Sequence, residues 1–318
     1  MFQSILIVLD EKGENRSALE RAIKLRGDMQ KLSSKKQGAD TKLHLLWVDF
    51  HSSIADVSQH SSAHGEQAKQ QYLQQSSLPL HNMSAYLEQL EIPHQCHQVW
   101  EKRRYEAIVK KAHELNCDLV IKECSYQPSL KYLISKPLDW SLLRTCPQPL
   151  WLTHSRNSTF GGSIAAAVDP NPEDTVAQTL NRQLIETASK LSEINKKNLS
   201  ILHSHCTATQ EVILATGESM FDYRTFSEQA RENRERLFNQ LLSEFSQLTF
   251  ESHLLEGEPD WAIPAYLKEH QTSLLVMGTS NKTGLKRALM GNTAESILAA
   301  IECDILALKP PGFTSPVL

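Results

Sequence analysis

Short apolar runs rich in leucine and β-branched residues alternate along this chain with longer stretches whose apolar positions recur every three or four residues. That alternation marks strand–helix–strand units and a mostly parallel sheet. Strands are predicted near 4–9, 43–48, 96–100, 118–122 and 149–153, and again near 164–169, 199–204, 249–255, 273–278 and 304–308. The second set repeats the plan of the first. Ile5-Leu6-Ile7-Val8-Leu9-Asp10 and Ile164-Ala165-Ala166-Ala167-Val168-Asp169 both end an apolar run on aspartate, 159 positions apart. A helix-then-strand block reaching Asp118-Leu119-Val120-Ile121 returns 155 positions later at Ser273-Leu274-Leu275-Val276, and Cys146 returns 157 positions later as Cys303. Three landmarks in one order at nearly constant offset imply tandem copies of one domain.

The expected fold is therefore α/β: two tandem Rossmann-like domains, each a five-stranded parallel sheet flanked by helices. We place the first domain at 1–154, a polar linker at 155–162, the second domain at 163–310 and a tail at 311–318. Within the second domain, Asn171-Pro172-Glu173-Asp174 offers a cap, a proline for the first helical position and first-turn acids, so a helix is predicted to start there. Phe238, Leu241, Leu242 and Phe245 form one apolar stripe at helical spacing and should be core. The Ser, His and Gln-rich stretch His51–Ser77 and the mixed stretch Thr207–Ser219 should be loops or loop-helix excursions at the carboxyl edge of each sheet.

Length and charge narrow the function classes. The 318 residues suit two domains with a core each. A net charge of −4 with both signs interspersed is not the basic face of a nucleic-acid binder, so no DNA or RNA partner is expected. No apolar run approaches the ~20 residues needed to cross a bilayer, so no membrane role is expected. The chain enters its first strand without a basic, apolar leader, which points to the cytoplasm. Six cysteines without CxxC spacing read as buried thiols of a reducing compartment.

The candidate chemistry lies after the fourth strand of the second copy. Gly278-Thr279-Ser280-Asn281-Lys282-Thr283-Gly284 is followed by Gly291-Asn292-Thr293-Ala294-Glu295 at the head of the last helix. Glycine at a strand end lets backbone N–H groups approach a phosphate, and a helix N-terminus adds oriented donors and partial positive charge. Asn292 with Glu295 is also an ordinary capping arrangement. In the first copy, Lys122-Glu123-Cys124 stands where Met277-Gly278 stands in the second. A carboxylate there repels a phosphate by about 1 to 4 kcal/mol at ~4 Å, so the first copy should not bind nucleotide in this way.

With these motifs the chain resembles the tandem-domain universal stress proteins, over nearly its whole length. In that family a Rossmann-like sheet binds adenine nucleotide through G-x2-G-x9-G-[S/T], with the strand-one aspartate near the base and ribose. The resemblance implies a nucleotide site in the second domain formed by Val168, Asp169, Pro170, His203, Met277, Gly278, Ser280, Asn281, Gly291, Asn292 and Thr293. Leu202 joins His203 at the end of strand two. Asn281 replaces the second glycine and Asn292 the final Ser/Thr. Asn281 tolerates positive φ better than most residues, and Asn292 still donates through its amide. What is implied is a cytoplasmic stress-response protein that binds a small ligand, ATP or another adenine nucleotide, and signals without catalysis. The two domains would form an intramolecular pseudo-dimer through their fifth strands, with a homodimer also open.

Other constellations are weaker. His203-Ser204-His205-Cys206 puts two histidines on one strand face but lacks the further ligands a tetrahedral metal site needs, so no metal is expected. His51, His60, His64 and His81 read as solvated surface. Trp47, Trp100, Trp140, Trp151 and Trp261 should pack. No Walker A loop, nucleophile elbow or HExxH motif occurs. A slow nucleotide hydrolase and a carrier or sensor of an apolar, lipid-like ligand stay open as alternatives.

Overall fold

The computed structural model describes residues 1–10, 16–32, 41–60, 62–124, 138–154, 161–206, 223–279, 296–298 and 300–318. The chain divides into two units, Met1–Ser158 with Thr314–Leu318, and Thr159–Phe313.

In the first unit β1 (Ser4–Val8), α1 (Ser17–Leu32), β2 (Lys42–Asp49), α2 (Ser52–His60), α3 (Ser62–Ser76), α4 (Leu78–Gln89), β3 (His94–Trp100), α5 (Arg104–Glu114), β4 (Leu119–Glu123), α6 (Leu138–Thr145) and β5 (Leu150–Thr153) follow in order. Every strand pairing is parallel, in the spatial order β3-β2-β1-β4-β5. The strand β1 is buried along its whole length, as a parallel strand covered on both faces must be.

The second unit runs β6 (Ile164–Ala167), α7 (Thr175–Asn195), β7 (Leu199–His205), α8 (Tyr223–Ser243), β8 (Glu251–Glu256), α9 (Pro259–Glu269), β9 (Leu274–Gly278) and β10 (Asp304–Leu308). Its strands are again parallel, in the order β10-β9-β6-β7-β8. In both units the chain steps outward from a central strand and then returns to that strand's other side. The crevice outside the carboxyl ends of β1 and β4, or of β6 and β9, is where such sheets admit a ligand. The residues at those ends are Asp10 and Glu123 in one unit, Asp169 and Gly278 in the other.

All ten predicted strands form, with ends within two residues of expectation. The stripe Phe238, Leu241, Leu242 and Phe245 is buried as expected. Other expectations need correction. Helix α7 starts at Thr175, capped by Asp174, whose Oδ1 accepts from the Val176 and Ala177 amides. Asn171 instead closes a local turn, its Oδ1 accepting from the Glu173 amide at 3.1 Å. The polar stretch after β2, expected as loops or loop-helix excursions, is mostly helix, α2 and α3, and so takes the second of those forms. The stretch Thr207–Ser219 lies outside the described residues.

Trp261 does not enter the core: it is 69% exposed. Gly257, at φ 118°, lies beneath its indole, and a Cβ there would stand 3.2 Å from the ring. The buried face of α9 is Ala262, Ile263, Tyr266 and Leu267, and Trp261 falls outside it. Cysteine burial also divides: Cys117, Cys146 and Cys303 are buried, whereas Cys96 and Cys206 are exposed. Cys96 is on the edge strand β3, and Cys206 immediately follows β7.

Candidate functional site

The site builds from the end of β6. Val168 continues the ladder past the strand, its amide donating to Leu202 O at 2.9 Å, and is buried. Asp169 follows, exposed at the crevice, and Pro170 turns back into the interior. Two side chains fix this bend. Asn181, buried on α7, accepts from the Asp169 amide at 3.0 Å and donates to the Asp169 carbonyl at 2.7 Å. His203, buried at the end of β7, makes a 3.1 Å hydrogen bond between Nδ1 and Val168 O. A carbonyl can only accept, so Nδ1 carries the proton. The ring lies against Phe238 of α8 at 5.7 Å between centroids. Burial lowers its pKa and keeps it neutral, the Val168 hydrogen bond and nearby Asp169 opposing.

Sequence reasoning missed Asn181, although a signal was present. The α7 stripe Ala177, Leu180, Leu184, Ile185, Ala188 is apolar at helical spacing, with Asn181 inside it. A buried amide in such a stripe needs partners, and the Asp169 backbone supplies both.

At the end of β9, Met277 is buried and Gly278 partly so. A Cβ on Gly278 would stand 2.7 Å from Cδ2 of Leu180, so this glycine admits α7 against the strand. The phosphate-approach argument for Gly278 therefore acquires a packing reason that holds with no ligand. Ser280, Asn281, Gly291, Asn292 and Thr293 lie outside the described residues. The N-terminal amides of α7 at Val176 and Ala177 are already taken by Asp174.

Beside the bend a cleft of about 80 Å³ is lined by Pro170, Asn181, Leu237 and Leu241 among others. Arg182 of α7 and Glu244, immediately after α8, bridge its walls, Nε to Oε2 at 2.6 Å and Nη2 to Oε1 at 3.2 Å. Both partners are half exposed, so the pair contributes little to stability.

His205, two residues beyond His203, is buried on the same strand face. Among the described residues no group of three or more His, Cys, Asp or Glu is arranged to hold a metal. The thiol of Cys206 is pushed up to about 11 by desolvation and by Glu258, which leaves it unreactive as a nucleophile at neutral pH.

The first unit fills the same crevice from within. Lys122 Nζ lies 2.8 Å from Asp139 Oδ1, both side chains almost wholly buried. Glu123 is buried, accepts from Ser17 Oγ at 2.8 Å, and Ser17 lies 2.7 Å from Thr153 Oγ1. Desolvation raises the Glu123 pKa, the Ser17 hydrogen bond opposing. Trp47 replaces His203, and its Nε1 donates to Asp49 Oδ2 at 2.6 Å. That carboxylate also accepts from Ser76 and Gln98.

Comparison with known proteins agrees with the repeat. A family model described as the universal stress protein family matches residues 1–154 and 164–309. Universal stress protein E of Escherichia coli K12 is 26% identical over 318 residues, 100% of this chain and 97% of that protein. The universal stress protein E homolog of Haemophilus influenzae is 30% identical, over 97% of this chain and 98% of its own length. Among solved structures, a functionally unknown protein of Pseudomonas aeruginosa PAO1 superposes with a TM-score of 0.70 at 26% identity, covering 97% of this chain and 93% of that one. A universal stress protein of Archaeoglobus fulgidus shares the fold, with a TM-score of 0.58 at 15% identity over 96% of each chain. Matched twice by the family model and along its full length by these relatives, the chain belongs to the universal stress protein family, as a tandem two-domain member of the E type.

Proposed function

We propose that this stress protein acts by binding, with one adenine nucleotide site per chain, in the second unit, and ATP as the ligand to test first. The observation that carries the reading is the asymmetry at the crevice. In the second unit the bend Val168–Asp169–Pro170 is pinned from beneath by Asn181 and His203 and leaves the Asp169 carboxylate exposed. In the first unit the matching strand ends are occupied by a buried ion pair and a buried carboxyl. A ribose hydroxyl is a good donor to an exposed carboxylate, and a sheet edge at a strand-order reversal suits a nucleotide. The reading is binding and signalling rather than turnover, in keeping with the family resemblance; among the described residues no nucleophile, base and oxyanion set accompanies the bend. Among the described residues no helix is long and apolar enough to cross a membrane.

The test is a calorimetric titration of the full chain with ATP, alongside Asp169→Ala and Asp10→Ala. One site per chain is expected, lost in Asp169→Ala and kept in Asp10→Ala. The absence of saturable binding at millimolar ATP refutes the reading. Recovery of ADP in proportion to protein would move the chain to the hydrolase class.

A further inference from the structure

The turn from α4 into β3 sets a serine against a histidine. The buried face of α4 is Leu80, Met83 and Leu87, and Ser84 stands at its margin, half-buried. Leu90 caps the helix, Glu91 takes a left-handed φ of 55°, and the turn closes through Glu91 N to Glu88 O and Ile92 N to Leu87 O, both at 2.9 Å. Pro93 follows and His94 opens β3. With the turn fixed in this way, His94 Nε2 lies 2.8 Å from Ser84 Oγ, and Nδ1 of the same ring lies 2.9 Å from Ile92 O. A carbonyl only accepts, so Nδ1 carries the proton and Nε2 of the neutral ring offers its lone pair to the Ser84 hydroxyl. Glu88 Oε1, at 3.3 Å from Ser84 Oγ, is the longer and weaker alternative acceptor.

A nucleophile and a base within hydrogen-bond reach, with the base oriented by a third group, is the arrangement that activates a hydroxyl. Here the third group is the Ile92 carbonyl, itself held by the turn. Ser84 and His94 both line one open depression of about 540 Å³ beside the edge strand β3. We propose that Ser84 is an acyl-accepting site, with His94 as its general base, for a neutral or cationic ester or thioester. The charged side chains lining the depression are Glu88 and Glu91, which repel an anionic donor. In the step, Ser84 Oγ attacks the carbonyl carbon while its proton passes to His94 Nε2. The Oγ–C bond forms, the bond from that carbon to the leaving oxygen or sulfur breaks, and Nε2 returns the proton to the leaving group. The Glu88 carboxylate, on the other side of the hydroxyl, favours the imidazolium that forms between the two transfers. This site belongs to the first unit and is independent of the nucleotide reading. Cys96, two residues along β3, is exposed and lines the same depression, so a test has to separate the thiol from the hydroxyl.

The experiment treats the full chain with p-nitrophenyl acetate and locates acetyl groups by peptide mass spectrometry. Wild type, Cys96→Ser, Ser84→Ala and His94→Gln are compared. Glutamine keeps an oxygen that accepts from Ser84 but is too weak a base to take its proton. One acetyl group per chain is expected at Ser84, alike in wild type and Cys96→Ser, and at least about a hundredfold faster than at the other serines, the usual worth of a general base. In His94→Gln the rate at Ser84 should fall to that of the other serines, and in Ser84→Ala the α4 peptide should stay unlabelled. Nitrogen-15 shifts of wild type give a measurement that needs no variant: His94 should show an Nδ1–H tautomer with Nε2 unprotonated. Acetylation without preference for Ser84, an acetyl group on Cys96 or His94 in its place, labelling of Ser84 that survives His94→Gln, or the opposite tautomer overturns the proposal.

Discussion

At the reversal of strand order the two units use equivalent positions in opposite ways. The second unit places Gly278 at the end of β9 under Leu180, the sixth residue of α7. The first unit places Glu123 at the end of β4, and the sixth residue of α1 is Ala22. A glycine packed under a helix closes one strand end, and a buried carboxyl held by Ser17 of α1 closes the other. In the second unit Asn181 of α7 clamps the backbone of the strand-one aspartate from both its amide and its carbonyl. One scaffold thus carries a buried ion pair and a buried carboxyl at one pair of strand ends, and a packing glycine and an exposed aspartate at the other. A change at one position alone should be costly.

The largest effect is expected at the Lys122–Asp139 pair. Removing one member of a buried ion pair costs about 3–5 kcal/mol. Lys122→Met, which installs the residue of the second unit, should lower unfolding stability by that amount in denaturant melts. Lys122→Met with Asp139→Leu should recover most of it, because an apolar pair of similar volume is about as stable. A single variant as stable as wild type would show that Asp139 is reached by water or protonated, and that the crevice is not sealed by charge.

Next comes the glycine. Gly278→Ala pushes a Cβ to within 2.7 Å of Leu180 Cδ2, an overpacking that costs about 1–3 kcal/mol if the leucine cannot turn aside. Adding Leu180→Ala should relieve the clash, so the double variant loses less than the sum of the singles. Strict additivity in such a cycle would mean that Gly278 and Leu180 are not coupled through this contact.

Asn181→Ala should cost a similar or slightly smaller amount, about 1–3 kcal/mol, by stranding the Asp169 amide, while the Asp169 carbonyl keeps the Asn171 amide. Asn181→Asp is the sharper variant. Its carboxylate still accepts from the Asp169 amide but opposes the Asp169 carbonyl, so a variant of nearly the same volume should be no better than alanine. Thermal melts of the three proteins decide this, and an unchanged Asn181→Asp would remove the clamp from the account.

The sheet was legible in the sequence and the clamp was not, for a physical reason. Buried parallel strands such as Ile5-Leu6-Ile7-Val8 announce themselves by continuous apolarity, and the repeat placed their order twice. The polar members of the site give no such signal, because one asparagine in an apolar stripe or one lysine at the end of Leu119-Val120-Ile121 requires a partner without naming it. Asn181 found a backbone and Lys122 found Asp139, which comes 17 positions later. Trp261 misled because aromatic burial is only a tendency, and here Gly257 gives the indole a seat outside the core. The helix head Asn171-Pro172 misled because two good caps stood three residues apart, and Asp174 reaches two amides where Asn171 reaches one.

The smallest effect separates the units by pH. Burial raises the Glu123 pKa, with the charge of Asp10 adding and Ser17 and Lys122 opposing. The folded state then holds this proton to a higher pH than the unfolded chain does. Its contribution is whole below the unfolded value of about 4.3 and is lost as pH rises through the folded value. For His203 burial acts in the other direction on a base, so its contribution is present above the unfolded value of about 6.5 and is lost as pH falls through the folded value. Urea unfolding at closely spaced pH should therefore show two opposed slopes. Glu123→Gln, whose amide oxygen still accepts from Ser17, should flatten the loss above about 4.3 and leave the histidine limb unchanged. His203→Phe should reduce the acid limb only in part, because burial lowers His44, His97 and His205 as well. A Glu123→Gln curve lying on that of wild type would mean that the carboxyl is solvated in the folded state. The first crevice would then be open to water, and the contrast between the units would rest on Lys122 and Asp139 alone.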